Sequence, residues 1–332
     1  MVFIFPERVV HGGTGKRQRE KTQKLLLDFS ASVNPLPPVF AWSCDSACLS
    51  QYPDNDYVLL KETIAHAFNR KCEEVCVGNG SMELIRVFCS IMLASSGKFC
   101  TEFPTFGEYS LSARLTGATA VASCDMADVS FVCNPNNPTG ILREHEELVS
   151  HVEEMASHGG TVFIDEAFIE LADPSQSLVD RHERNLFVLR SLTKSFAVPG
   201  IRFGYGFGAP ELIDKMEIAR PPWSVNAYAE AFALEAFRHM DALKDSRAFI
   251  QKEREWLKTG ISPCGLHCFP SSTNYLLADY GQDVAPLCAK LEHSGILVRD
   301  CTSFGLPSCI RIAVRTREEN KELVEALSAC VR

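Results

Sequence analysis

Ser191-Leu192-Thr193-Lys194-Ser195-Phe196 places a lysine among small hydroxylated residues just after the apolar run Leu186–Leu189. Two earlier apolar runs end in the same kind of polar punctuation. Val129–Cys133 leads into Asn134-Pro135-Asn136-Asn137-Pro138-Thr139-Gly140, and Thr161–Ile164 leads into Asp165-Glu166-Ala167-Phe168. Short β-branched runs of this length read as strands. Working outward, strands are expected at Glu74–Val77, Lys98–Thr101, Ala118–Ala122 and Phe203–Phe207. Helical spacing runs over Val58–Phe68, Ser81–Leu93, Thr105–Leu115 and Glu144–Ala156. Strands alternating with helices imply an α/β fold whose mainly parallel sheet is covered on both faces. Ligands collect at the carboxyl ends of such strands. Asn137, Asp165 and Lys194 each lie just past one, so the three can converge.

The chain divides into three parts on this reading. Residues 1–50 are irregular and proline-rich, a wrapping arm. Residues 51–240 hold the large domain, and 241–332 a small α+β domain. The helices Ala227–Arg238 and Ala242–Thr259 lead into that last part, where Thr273–Ala278 and Ile310–Val314 read as strands and Val284–His293 and Arg317–Ala329 as helices. A net charge of -9 argues against nucleic acid or an anionic membrane as partner. No apolar run is long enough to span a bilayer. The opening Met1-Val2-Phe3-Ile4-Phe5-Pro6-Glu7-Arg8 becomes charged too soon for a signal peptide, so the cytoplasm is the expected location. The 14 cysteines include Cys44/Cys48, Cys72/Cys76 and Cys264/Cys268, all C-x-x-x-C rather than the C-x-x-C of zinc or redox sites. His267 beside Cys268 has no second ligand pair at suitable spacing, and Cys89, Cys133 and Cys288 read as small hydrophobes. No metal is expected.

An amide, a carboxylate and an amine at neighbouring strand ends are the groups pyridoxal phosphate requires. The amine of Lys194 forms a Schiff base, Asp165 keeps the pyridine nitrogen protonated, and Asn137 donates to the phenolic oxygen. Gly78-Asn79-Gly80-Ser81-Met82-Glu83 lies between a strand and a helix, where free N–H groups attract a phosphate. Read alone, the same residues are an ordinary turn with Ser81 as N-cap. Ser191 and Arg202 are two further phosphate ligands, the guanidinium because its planar fork grips two oxygens. Phe106 either stacks on the pyridine ring or fills the core.

The order N-P-x-N-P-T-G, D-E-A-[YF], S-x-T-K-[ST]-[FL], R-x-G-Y, kept through Tyr205, resembles the fold-type I pyridoxal phosphate enzymes of the histidinol-phosphate aminotransferase branch. The resemblance covers nearly the whole chain and implies the aspartate aminotransferase-like fold. It also implies a cofactor phosphate cradled by Gly80, Ser81, Met82, Ser191 and Arg202, with Phe106 stacked on the ring. By the same likeness Asn137 meets O3′, Asp165 meets N1, and Lys194 is the covalent lysine. Tyr52, in Tyr52-Pro53-Asp54, looks like the tyrosine that reaches the neighbouring subunit's phosphate, which implies a homodimer.

Within that branch, several segments resemble the L-threonine-O-3-phosphate decarboxylases of cobalamin synthesis. These are His11-Gly12-Gly13, Asp28-Phe29-Ser30-Ala31-Ser32-Val33-Asn34-Pro35-Leu36 and Pro222-Trp223-Ser224-Val225-Asn226. Phe168 stands where most relatives place a tyrosine. Ser32 and Thr14 depart from the arm pattern, each replacing an asparagine. Either chemistry takes a phosphorylated amino compound, so an anion pocket is required beyond the cofactor. Arg311 and Arg299 match arginines that grip substrate anions in the family, with His11 and Asn34 completing the grip; for Arg299 a surface pair with Asp300 is the competing reading. The expectation is decarboxylation of L-threonine O-3-phosphate, with histidinol-phosphate transamination against 2-oxoglutarate as the rival.

Overall fold

The computed structural model describes residues 6–13, 26–94 and 96–331. Two arm residues, Leu27–Asp28, form β1. There follow α1 (Val58–Ala67), β2 (Val75–Gly78), α2 (Ser81–Met92), β3 (Lys98–Thr101), α3 (Glu108–Leu115), β4 (Thr119–Ala120) and β5 (Val129–Cys133). The chain continues through α4 (His145–Ser157), β6 (Thr161–Asp165), β7 (Leu186–Arg190), α5 (Leu192–Ser195), β8 (Gly204–Gly208) and α6 (Pro210–Ala219). After α7 (Ala227–Ala236) and α8 (Leu243–Ile261) come β9 (His267–Cys268), β10 (Tyr275–Asp279), α9 (Ala285–His293), β11 (Ile296–Leu297), β12 (Arg299–Asp300), β13 (Cys309–Ala313) and α10 (Arg317–Val331).

Seven strands make the main sheet in the order β2-β8-β7-β6-β5-β3-β4. β7, β6, β5, β3 and β4 pair in parallel, while β8 runs antiparallel to both its neighbours. Every residue of β2, β5, β6, β7 and β8 is buried, which is why these strands read as continuous apolar runs rather than alternating ones. Two cores cover the two faces. Along β6, Val162 and Ile164 join the core that holds Leu60, Ile64 and Val152, while Phe163 joins the core that holds Phe88, Phe131 and Phe187. That alternation is the two-residue period of a strand.

A second sheet, β12-β13-β10-β9, is antiparallel and packs under Leu257, Leu287 and Leu323 of α8, α9 and α10. The arm belongs to this region in space: β1 pairs in parallel with β11, and Phe29 is part of the same core. Nothing in the sequence marks that pairing, because a two-residue strand has no period to read. Residues 104–107 also stay out of α3, contrary to the helical reading from Thr105. Thr105 donates its hydroxyl to Asn136 Oδ1 at 2.7 Å, and Asn136 Nδ2 donates to the Pro104 carbonyl at 2.9 Å, so the segment is tied to the Asn-Pro turn. Cys100 and Cys124 form a disulfide, whereas the C-x-x-x-C cysteines remain free thiols.

Behind the carboxyl edge of the main sheet lies a buried ionic cluster. Arg190 Nε donates to Glu166 Oε2 at 2.8 Å, Nη2 donates to Ser177 Oγ at 2.6 Å, and Nη1 donates to Glu170. Removing one partner of such a pair leaves an uncompensated buried charge. Arg190→Met is therefore expected to cost about 3–5 kcal/mol of unfolding free energy in urea titration; a loss below about 1 kcal/mol would show that the cluster is not needed to hold this edge.

Candidate active site

A cavity of about 510 Å³ opens at the carboxyl edge of the main sheet, lined also by the arm and by residues of the smaller sheet. Its position follows from the topology. β5, β6 and β7 end together, with Cys133 opposite Asp165 and Asp165 opposite Leu189 in register. β8 starts at the same edge because it runs the other way, and Gly78 faces Gly204. Thus Arg202, just ahead of β8, meets the turn after β2. A Cβ on Gly204 would lie 2.4 Å from Ser81 N, and one on Gly80 would lie 2.4 Å from an Arg202 guanidinium nitrogen. Gly80 also has a φ of 78°, so a side chain there is excluded twice over.

The result is a cradle for an anion. Gly80 is the N-cap of the twelve-residue α2 and offers no side-chain cap, which leaves the first N–H groups of the helix open to a ligand. Ser81, Met82 and Arg202 line the cavity beside it. Arg202 Nη1 donates to the Pro199 carbonyl at 3.0 Å, and its own φ of 61° lies in the left-handed region that side chains rarely adopt. Ser191 takes a different place from the one expected. It is buried as N-cap of α5, with its hydroxyl 2.8 Å from Thr193 Oγ1 and accepting from Thr193 N at 3.3 Å. Thr193, not singled out in the sequence, lines the cavity instead.

Lys194 is half-buried on the otherwise buried turn of α5, its amine 5.8 Å from the centre of the Phe168 ring. Enclosure, then the positive charges of Arg311 and Arg202, draw its pKa down from the ordinary 10.5 to about 8, against the pull of Asp165. Asp165 is buried at the cavity floor. Its Oδ2 accepts from Tyr109 Oη at 2.7 Å and its Oδ1 from Ala167 N at 2.9 Å. Burial raises its pKa, and those two hydrogen bonds oppose the rise. Asn137 also lines the cavity, with Oδ1 accepting from Arg311 Nη1, which leaves its amide nitrogen as the donor. Phe106 lines it too, edge-on to Tyr109 with ring centres 5.5 Å apart.

Arg299 and Arg311 face each other across β12 and β13 as register partners. Both are buried and both line the cavity. Arg299 donates to the Asp300 and Val10 carbonyls and to Ser303 Oγ at 2.6, 2.8 and 2.5 Å, so the pairing with the Asp300 carboxylate does not occur. Arg311 Nη2 donates to the Ser30 carbonyl at 3.0 Å, and its Nε has no partner. Neither guanidinium forms an ion pair with a described carboxylate. Burial lowers the pKa of each, and for Arg299 the charge of Arg311 adds to the effect.

The arm closes the remaining side. His11 lines the cavity with Nε2 2.8 Å from Glu108 Oε1, and Gly13 N donates to Ser30 Oγ at 2.8 Å. Ser32 lines the cavity, and its Oγ is buried without a hydrogen-bond partner. Thr14 lies outside the described residues. Asn34 turns away from the cavity, contrary to its expected place in the substrate grip. Its Nδ2 donates to the Ser195 carbonyl at 2.7 Å and Ser246 Oγ at 2.9 Å, and its backbone N–H donates to the Lys194 carbonyl at 2.9 Å. It braces the lysine turn from behind. Tyr52 is likewise outside the cavity, 78% exposed and 4.5 Å from the Trp223 ring.

An anion cradle, an amine whose pKa is drawn down to about 8 and a buried carboxylate at these three corners fit pyridoxal phosphate. Gly80, Ser81, Met82 and Arg202 would take its phosphate, Phe106 its face, Asn137 its phenolic oxygen and Asp165 its ring nitrogen. Among the described residues no group of three or more histidine, cysteine or acidic side chains is placed to hold a metal, and no helix is long and apolar enough to cross a membrane.

Residues 44–327 match the family model for aminotransferase class I and II. A histidinol-phosphate aminotransferase of Symbiobacterium thermophilum is 32% identical, over 95% of this chain and 93% of that one. A protein of Caldanaerobacter subterraneus subsp. tengcongensis, provisionally named threonine-phosphate decarboxylase, is 35% identical over 90% of this chain and 88% of that one. The crystal structure of histidinol-phosphate aminotransferase from Sinorhizobium meliloti, in complex with pyridoxal 5′-phosphate, superposes with a TM-score of 0.84 at 19% identity, covering 96% of this chain and 94% of that one.

The depressed pKa of Lys194 has a sign that can be tested. In the cofactor-free protein the folded state holds fewer protons than the unfolded one between about 8 and 10.5, so this group adds stability as pH rises through that window and none of that gain is present below it. Its reactivity follows the neutral fraction. Competitive acetylation is expected to label Lys194 with a midpoint near pH 8, whereas exposed lysines titrate near about 10.4. A Lys194 midpoint with the exposed group would show that the cavity does not depress the pKa of this amine.

Proposed function

The chain belongs to the aminotransferase class I and II family and uses pyridoxal phosphate; within that family, we propose that it decarboxylates L-threonine O-3-phosphate to (R)-1-aminopropan-2-yl phosphate and CO2, a step of cobalamin synthesis. The segments His11–Gly13, Asp28–Leu36 and Pro222–Asn226 carry the choice of reaction, and the Arg299–Arg311 pair supports a phosphorylated substrate. Two like charges opposite each other on neighbouring strands destabilise a sheet, and buried charges need partners. A substrate with a dianionic phosphate supplies the missing counter-charge. His11, which lines the cavity on the arm side, extends the grip.

When bound, the cofactor supplies an electron sink for whichever Cα bond stands perpendicular to its ring. The protein's part is to choose that bond. Arg311 and Arg299 would anchor the substrate anion, so that the rest of the molecule pivots about a fixed end and the choice of bond is set by how the carboxylate is held. Such a choice is one of differential binding in the transition state. Phe168 packs edge-on against Tyr275, ring centres 5.2 Å apart, and gives the phenolic oxygen no hydroxyl donor. Loss of CO2 would break the Cα–carboxylate bond and leave its electron pair to the sink that the bound cofactor supplies. Lys194, under the cavity and able to change charge near neutral pH, then delivers one proton to Cα.

We infer further that two copies associate, with Tyr52 reaching the cofactor phosphate of the partner. Tyr52 and Trp223 together form an exposed aromatic pair, with Trp42 and Tyr228 also exposed on the surface. Such surface aromatics favour a protein interface. Light scattering after size exclusion is expected to give a dimer of 36.8 kDa chains; a monomer at micromolar concentration would oppose it.

The assay for the reaction omits every keto acid. Cofactor-loaded protein given L-threonine O-3-phosphate is expected to release one CO2 per amine phosphate formed. Arg311→Gln should weaken apparent substrate affinity by on the order of 2–5 kcal/mol. No CO2, together with amino exchange between histidinol phosphate and 2-oxoglutarate, would assign the chain to transamination.

A further inference from the structure

Tyr109 is a buried polar side chain lining the cavity that neither the sequence analysis nor the proposed reaction uses. It lies in the first turn of α3, fully buried, with its ring stacked on Phe131 at 5.6 Å and 6° between planes. Its hydroxyl donates to Asp165 Oδ2 at 2.7 Å. The other carboxylate oxygen is held by Ala167 N at 2.9 Å. Among the described residues no other side chain hydrogen-bonds to Asp165. Each oxygen therefore has one fixed donor, and the carboxylate can rotate in neither direction without losing a bond in a buried setting, where an unmade bond is costly.

The geometry points to Tyr109 as the positioning residue that aims Asp165 at the cofactor's ring nitrogen and keeps it an acceptor. The groups facing Asp165 explain why one is needed. Burial raises the carboxyl pKa, and the adjacent Glu166 adds to the rise; Lys194 opposes it only when charged. Cys133, opposite Asp165 in register, is itself pushed up to about 12 and contributes no charge near neutral pH. A carboxyl that takes up a proton here would turn from acceptor to donor and could no longer hold a ring N–H. Tyr109 is well suited to prevent this. Its own pKa lies well above the usual 10, through burial and then the charge of Asp165, so it stays a donor over the whole working range. The hydrogen bond is one to a charged group, the stronger kind.

This inference rests on pyridoxal phosphate as cofactor and not on which reaction the site performs. Its test uses Tyr109→Phe, which keeps the stacked ring and removes only the hydroxyl; urea midpoints check that the fold survives. Equilibrium binding is measured for pyridoxal phosphate and for its 1-deaza analogue, which has carbon in place of the ring nitrogen. The variant is expected to bind pyridoxal phosphate roughly ten-fold more weakly and the analogue as well as the wild type does. In an Asp165→Asn background the Tyr109→Phe effect on pyridoxal phosphate should vanish, the signature of action through Asp165. An equal loss for both ligands, no loss for either, or a loss that persists in the Asp165→Asn background would overturn the proposal and leave Tyr109 a packing residue.

Discussion

Everything at this site depends on burying an acid and an amine together at one edge of a buried sheet. Asp165 and Lys194 follow neighbouring parallel strands, β6 and β7, and a low-dielectric setting opposes the charged form of each. The protein resolves the two cases differently. Asp165 is given two donors, from Tyr109 and Ala167, which favour its anion. Lys194 is given two cationic neighbours, Arg202 and Arg311, which favour its free amine. The same arginines that suit bound anions therefore prepare the nucleophile, so the cradle and the amine are one electrostatic unit.

The single reversed strand makes that unit possible. If β8 ran parallel to β7, its first residues would lie at the opposite edge and Arg202 would be the length of a strand away from Gly80. Because it runs antiparallel, Gly204 packs against Ser81 with no room for a Cβ, and Arg202 fills the space a side chain on Gly80 would occupy. The substrate side is assembled by longer reach. β1 adds the arm to β11, Arg299 holds the Val10 carbonyl, and Arg311 holds the Ser30 carbonyl. The arm thus lies against both guanidiniums, and Asn34 fastens its far end to the lysine turn.

Much of this is legible in the chain. Lys98–Thr101 and Val129–Cys133 coincide with observed strands because buried parallel strands carry β-branched and aromatic runs with clear ends. Asn137, Asp165 and Lys194 reach one cavity because strand-end position is a sequence property once the alternating pattern is known. What escapes has no local signal. Tyr109 looks like any aromatic on an amphipathic helix until Asp165 is placed beside it. Asn34 reads as a ligand because its motif is polar, yet its amide faces backbone groups that only the folded arm presents. Ser191 misses its expected place because the short helix α5 starts directly after it and uses its hydroxyl as cap, while Thr193 lines the cavity.

Lys194 as the amine that carries the cofactor is the assignment on which the rest of the site turns. The direct measurement is borohydride reduction of the pyridoxal phosphate-incubated protein, followed by peptide mass mapping. One phosphopyridoxyl group per chain on the peptide containing Lys194 is the predicted result, and Lys194→Ala should bear none there. A stoichiometric adduct on another lysine, or none on the wild-type chain, would contradict that assignment.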